Sequence, residues 1–288
     1  MRPVAVVADT THYLPRDVVA ASGIHEVSLY VHWQGRQDRE ADLPDFDAYY
    51  EYLRTSADLP TTSQPSVGDF LEVYEPLVAH GKDVVSIHIA GGMSGTYESA
   101  RQAKAALEEK TGEERVTVID SATACGGLGF VMLAAAAVAR AGGDREAVEA
   151  RARETRERLK VWFAIDTMEF LRRGGRVGAA RAWLGSALKI KPILTVESEI
   201  TPIERVRTSR RAFERMVDYL RSRYEDGADG WMVQHIQARD QADELAARGK
   251  EIFGTDPLLI GEVGPVIGTH VGPGLLGVGG VPKRLLEA

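Results

Sequence analysis

The chain has 288 residues, 44% of them hydrophobic, with 35 basic and 42 acidic side chains and a formal net charge of -7. That length suffices for two domains with separate cores, and the acidic balance argues against a nucleic-acid surface. The single cysteine, Cys125, excludes an intrachain disulfide, gives no sign of an oxidising compartment, and reads as a small buried residue.

The opening run MRPVAVVADT is too short for a signal peptide, stops at Asp9 and reads as a first strand. Helical periodicity in DVVAASG, an apolar strand VSLYV and a helix in FDAYYEYL follow. The cluster PTTSQPS (60–66) then precedes a helix that Ser66 and Asp69 start as a capping-box variant. The strand DVVSIHI runs into GGMSGT, and the helix beyond it places Tyr97, Ala100, Ala103 and Leu107 on one face. After the strand RVTVI comes the turn DSAT. The apolar part of the next segment, Leu128 to Ala139, is too short to span a bilayer and reads as a buried helix. No stable membrane insertion is expected, and the protein reads as soluble and cytoplasmic.

A charged helix from about Asp144 to Lys160 leads into VWFAIDTMEFLRRGGRVGAARAWLGSALKIKPILTV, which mixes two short helices with strands. A helix around Arg210 to Tyr224, the strand GWMVQHI, a helix through Ala242 to Ile252 and a last strand LLIGEVG complete the pattern. Arginines 151, 153, 156, 158, 172, 173, 176 and 181 give the middle a basic tint suited to an anionic partner surface. The expected fold is α/β with two domains. Residues 1–160 form a mostly parallel sheet with flanking helices, and 161–288 a second α/β domain with a mixed or antiparallel sheet.

Ligands of open parallel sheets sit at the carboxyl ends of strands. Here those ends carry ADTT (8–11), GGMSGT (91–96) and DSAT (120–123), all rich in hydroxyls. Thr10, Ser66 and Ser121 are accounted for by helix capping. Ser94 differs, because Gly91, Gly92 and Gly95 leave room for a ligand to approach the backbone. The turn lacks the Lys-Ser/Thr of a phosphate loop and the G-x-G-x-x-G of a dinucleotide site. It falls one residue short of the G-x-S-x-G nucleophile elbow. A serine hydrolase pairing Ser94 with His270 therefore stays open as an alternative, as does a phosphate-binding module. His270, in the glycine- and proline-rich EVGPVIGTHVGPGLLG, reads either as a hydrogen-bonded loop histidine or as a site group. His88, on a strand, and His80, near a helix end, read as structural. No metal-ligand pattern is present, so neither metal nor cofactor is expected.

Six ordered blocks, PTTSQPS (60–66), GGMSGTYESA (91–100), MEFLRRGGRVG (168–178), LKIKPIL (188–194), RVRTSRRA (205–212) and VGPVIGTHVGPG (263–274), resemble the DegV family of bacterial fatty-acid-binding proteins. The resemblance implies a two-domain α/β protein enclosing one long-chain fatty acid between its domains. It further implies a non-catalytic role, presenting the carboxylate to a separate ATP-dependent fatty acid kinase for acyl phosphate formation and phospholipid synthesis. The family's carboxylate-binding positions fall on Thr62, Ser94 and His270, with Gly92, Gly95 and Thr96 completing the ligand turn. Arginines resembling those that meet the kinase fall on Arg173, Arg176 and Arg207. Two departures stand out: ADTTHYLP replaces a serine-containing turn, and VESEI (196–200) lacks the glycine common after KPIL.

Overall fold

In the computed structural model, which describes residues 2–184 and 190–288, the apolar run VAVVAD forms β1 (Val4–Asp9), buried over most of its length. Helix α1 (Arg16–Ser22) follows and ends on Gly23 in the left-handed region. The run VSLYV does not make one strand. It divides into β2 (His25–Val27) and β3 (Tyr30–Trp33). Ser28 and Leu29 make the break because their polar groups serve other partners: Ser28 Oγ accepts from Ala41 N, and Leu29 O accepts from Glu40 N.

Strand β3 pairs antiparallel with β4 (Arg36–Arg39) and, beyond α2 (Asp47–Thr55), with β5 (Thr61–Ser63). This small sheet was absent from the sequence reading. Helix α3 (Val67–Ala79) starts on the expected capping box, Ser66 Oγ accepting from Asp69 N and Asp69 Oδ2 from Ser66 N. Then come β6 (Asp83–His88), α4 (Thr96–Thr111), β7 (Val116–Asp120), α5 (Gly126–Arg140) and α6 (Arg145–Arg158). Strands β2, β1, β6 and β7 lie side by side in that order, all parallel. A parallel sheet is covered on both faces. Here α5 packs Leu128, Val131, Met132 and Ala135 on one side, while Phe70, Tyr74, Ala100, Ala103 and Leu107 of α3 and α4 cover the other.

The remainder builds a second sheet from β8 (Lys160–Ala164), β9 (Lys191–Glu197), β10 (Glu199–Val206), β11 (Gly230–His235), β12 (Leu259–Glu262) and β13 (Leu276–Val281). Its order is β10-β9-β8-β13-β11-β12, antiparallel except for the β11/β12 pair. Its helices are α7 (Glu169–Gly174), α8 (Ser209–Glu225), α9 (Arg239–Phe253) and α10 (Pro265–Val271). LLIGEVG is thus an edge strand and not the last one. The last is LGVGGV, inserted centrally between β8 and β11, where Gly279 admits Val161 and Met232 and Gly280 approaches Gly230 O. Of the LKIKPIL block, Leu188 and Lys189 lie outside the described residues. The architecture is α/β, a four-stranded parallel sheet with flanking helices joined to a six-stranded mixed sheet.

Candidate functional site

Three loops leave the carboxyl ends of β1, β6 and β7 and are held there by acidic side chains. Asp9 Oδ2 accepts from Ile89 N at 2.8 Å, and Asp120 accepts from Gly91 N and Ala122 N. The β9–β10 hairpin docks between two of these loops: Ser198, with φ +69, donates its N–H to Ala122 O. A Cβ on Gly92 would strike Ser198 O, and one on Gly95 would press on the Gln64 side chain. The room provided by these two glycines is therefore filled by the protein's own chain, which corrects the expectation that it admits a ligand.

Thr10 and Ser121 are not helix caps. Thr10 Oγ1 donates to Glu40 Oε2 and accepts from Leu29 N, while Ser121 closes a local turn with Thr123. Thr96 is fully buried, and its hydroxyl meets Ser94 Oγ at 2.8 Å; it lines no part of the cavity described below. Ser94 also accepts from Thr96 N at 3.3 Å, so the serine turns the chain into α4 while remaining half-exposed.

His270 lies not in a loop but on α10, whose first turn starts with Pro265. That short helix is fastened from the other half of the chain. Glu40 Oε1 accepts from Val266 N at 2.8 Å, Tyr13 Oη accepts from Ile267 N, and Tyr49 Oη bonds Thr269 Oγ1. Gly268 lets α10 lie against the Tyr50 ring. His270 is thereby delivered to β5, where Nε2 lies 2.8 Å from Thr62 Oγ1. Nδ1 faces Gly174, is buried, and has no partner among the described residues. A proton on Nδ1 would be buried without an acceptor, so we assign the proton of the neutral ring to Nε2, facing Thr62 Oγ1. Burial, with a contribution from the Arg176 guanidinium, lowers the His270 pKa to about 4, so the imidazole is uncharged at neutral pH.

Thr62, Ser94 and His270 line one cavity together with Gln64, Arg176 and apolar side chains; it holds about 500 Å³ of space between atoms. Arg176 stands at this end, its Nε donating to Met93 O and Nη1 to Gly174 O. The strand-end site thus has a cation beside it. A second cavity, of about 520 Å³, is lined almost wholly by apolar groups, among them Phe163, Val196, Met232, Val263, Leu275 and Val278. Met93, Ile200, Ile267 and Val271 are walls of both. The two cavities therefore adjoin, one with a partly polar lining and the other nearly all apolar. Cys125 lines the apolar one, and burial raises its thiol pKa far above the ordinary value, which disfavours the thiolate.

Of the remaining arginines, Arg173 is exposed on α7 and paired with Glu169 at 2.6 Å, and Arg207 is exposed just beyond β10. The Ser94 hydroxyl is bonded to Thr96, while the His270 ring is bonded to Thr62. A Ser-His-Asp chain does exist elsewhere, unforeseen in the sequence: Ser86 Oγ is 2.6 Å from His88 Nε2, and His88 Nδ1 3.2 Å from Asp9 Oδ2. All three are wholly buried, and Tyr74 Oη donates to Ser86. Burial alone would raise the Asp9 pKa, but bonds from His88, Thr11 and Ile89 hold it below its usual value. The chain fastens β1 to β6 and offers no path to a substrate.

These features define an α/β protein whose parallel and mixed sheets flank a cavity with one polar end. The chain belongs to the DegV family: the family model described as "Uncharacterised protein, DegV family" matches residues 3–283. A DegV domain-containing protein of Clostridium perfringens is 37% identical over 277 residues, 96% of this chain and 97% of that protein. Protein DegV of Bacillus subtilis is 33% identical over 285 residues, 96% and 98% of the two chains. Among solved structures, a fatty-acid-binding DegV family protein from Thermus thermophilus superposes with a TM-score of 0.85 at 34% identity, covering 98% of this chain and 99% of its own. The structure of DegV from B. subtilis, a fatty acid binding protein, gives 0.88 at 31% identity, covering 98% and 100%. Among the described residues, no helix is long and apolar enough to cross a membrane.

Proposed function

We propose that this protein binds one long-chain fatty acid and presents its carboxylate to a separate ATP-dependent fatty acid kinase in the cytoplasm, performing no chemical step itself. The tail occupies the apolar cavity and the carboxylate meets Thr62, Ser94 and His270. The observation that carries this reading is the Thr62–His270 pair at the polar end of a cavity that shares four walls with an apolar one. Residues 1–160 and 161–288 act as two domains in this reading, with the lipid between them. The fatty-acid binding of the T. thermophilus and B. subtilis relatives supports it.

The energetics suit such a ligand. Burying roughly fifteen methylenes at about 0.8 kcal/mol each contributes on the order of 12 kcal/mol before the cost of association. The tail dominates affinity and the head sets register. In the head site, His270 Nε2–H donates to Thr62 Oγ1, which leaves the Thr62 proton for a carboxylate oxygen. The Ser94 hydroxyl turns from Thr96 to donate to the other. A carboxylate is an acceptor only, so hydroxyl donors match it. Arg173, Arg176 and Arg207 form the surface that meets the kinase.

Mass spectrometry of the purified protein, native against denatured, tests the reading. A released acyl chain, or saturable uptake of added oleate, is the expected result. A protein that carries none and takes up none would refute it.

A further inference from the structure

Gln234 lies on β11 at the wall of the apolar cavity, only 4% exposed. Its Oε1 accepts the backbone N–H of Gly126, the first residue of α5, at 2.7 Å. That bond fixes the amide: oxygen toward Gly126, nitrogen away from it. Nε2 is buried and has no acceptor among the described residues. The cavity that Gln234 lines is walled mainly by hydrocarbon and thioether, including Phe163, Met232, Ile267 and Val278. Gly277, paired with Gln234 across β13, also lines the cavity and places no side chain beside the amide. A buried amide N–H left unpaired is a standing penalty that a saturated tail does nothing to relieve.

We infer that Gln234 is a specificity-determining residue that selects acyl chains carrying an acceptor oxygen in the tail, namely hydroxy or oxo fatty acids. The inference rests on the fatty-acid reading above. A tail oxygen at the depth of Gln234 accepts the Nε2 proton and replaces the water it left. At other depths along the tail the oxygen meets mainly apolar wall and is disfavoured. Sites that pair a buried polar group discriminate by position in this way, whereas a purely apolar tunnel penalises every oxygen alike.

The test is a binding series on the full chain: stearate, and hydroxystearates with the hydroxyl moved stepwise from mid-chain toward the methyl end. One positional isomer is expected to bind at least as tightly as stearate, and its neighbours roughly tenfold or more weakly. Gln234→Met also removes the acceptor of Gly126 N–H, so the readout is the ratio: the favoured isomer should lose about tenfold relative to stearate bound by the same variant. If Gln234→Met does not fold, the side-chain amide resonance of Gln234 in the natural protein decides, and should shift with the favoured isomer and not with stearate. Stearate binding with every hydroxystearate equally penalised, or a preference that survives Gln234→Met, overturns the inference and leaves the fatty-acid reading intact. Failure to bind stearate and all its derivatives overturns both.

Discussion

Thr62 Oγ1 and His270 Nε2 lie 2.8 Å apart although 208 positions separate them in the chain. Neither residue sits on a long element: Thr62 is on a three-residue strand and His270 near the end of a seven-residue helix. The pair exists because β5 is held by β3 and α10 by Glu40, Tyr13 and Tyr49, so both halves of the chain meet at the polar end of the cavity.

Thr62→Val removes the hydroxyl at nearly constant volume and leaves the Nε2 proton of His270 without an acceptor. Ser94→Ala removes the second donor. Each should weaken fatty-acid binding about tenfold or more, consistent with roughly 1–3 kcal/mol for a buried polar group left unpaired. The methyl ester of the same acid, which lacks the carboxylate, should show a smaller change. Equal losses for acid and ester in isothermal titration would remove the carboxylate from these residues.

The parallel sheet was legible in the sequence because β1, β6 and β7 are apolar runs followed by helices with a clear face. Strand β4 was not, since its residues, RQDR, are mostly exposed and carry no apolar alternation. Strand β13 was hidden for the opposite reason: Gly277, Gly279 and Gly280 leave too few side chains to show a period, though neighbours pack over them. Around the cavity, Ser94 stood out as a hydroxyl framed by glycines and His270 as an imidazole in a glycine- and proline-rich segment, whereas Thr62 was singled out only by the family resemblance. Glu40, which anchors α10, was not, because a lone acid in a charged stretch reads as solvated surface until the fold buries it. The Ser86–His88–Asp9 chain likewise depends on two strands becoming neighbours, which spacing alone does not reveal.

Gly174 is where the back of the imidazole rests, and a Cβ there would collide with Nδ1. Gly174→Ala should push His270 off Thr62 and lower fatty-acid affinity about tenfold, with a stability cost of about 1–3 kcal/mol from overpacking. The His270 ring resonances, followed by NMR, should change while those of His88 stay put. An unaltered His270 environment would show that the ring has space that the structure does not indicate.

Arg173 and Arg176 are separable. Both are exposed, but Arg173 pairs with Glu169, whereas Arg176 lines the polar cavity and bonds Met93 O and Gly174 O. With a fatty acid kinase present, Arg173→Ala should slow acyl phosphate formation and leave lipid affinity unchanged. Arg176→Ala should reduce both. Matched losses of lipid affinity in the two variants would place Arg173 in the structural support of the site instead of at the partner surface.

His270 and Glu40 load the fold with opposite pH dependence in nearly the same window. Burial, then Arg176, lowers the His270 pKa from its ordinary 6.5 to about 4, so its contribution is present above pH 6.5 and is lost as pH falls toward 4. Burial raises Glu40 from 4.5 to about 7 despite donors from Val266, Thr10 and Tyr13, so its contribution is present below 4.5 and is lost as pH rises through 7. Each is worth on the order of 3 kcal/mol at about 1.36 kcal/mol per pKa unit, and between 4.5 and 6.5 the two slopes largely cancel. Glu40→Gln should therefore gain stability on the natural protein as pH rises from 4.5 to 7. His270→Asn should lose ground to it as pH rises from 4 to 6.5. Urea midpoints measured across that range read both slopes, and two variants whose difference curves run in the same direction would contradict the buried states assigned to these residues.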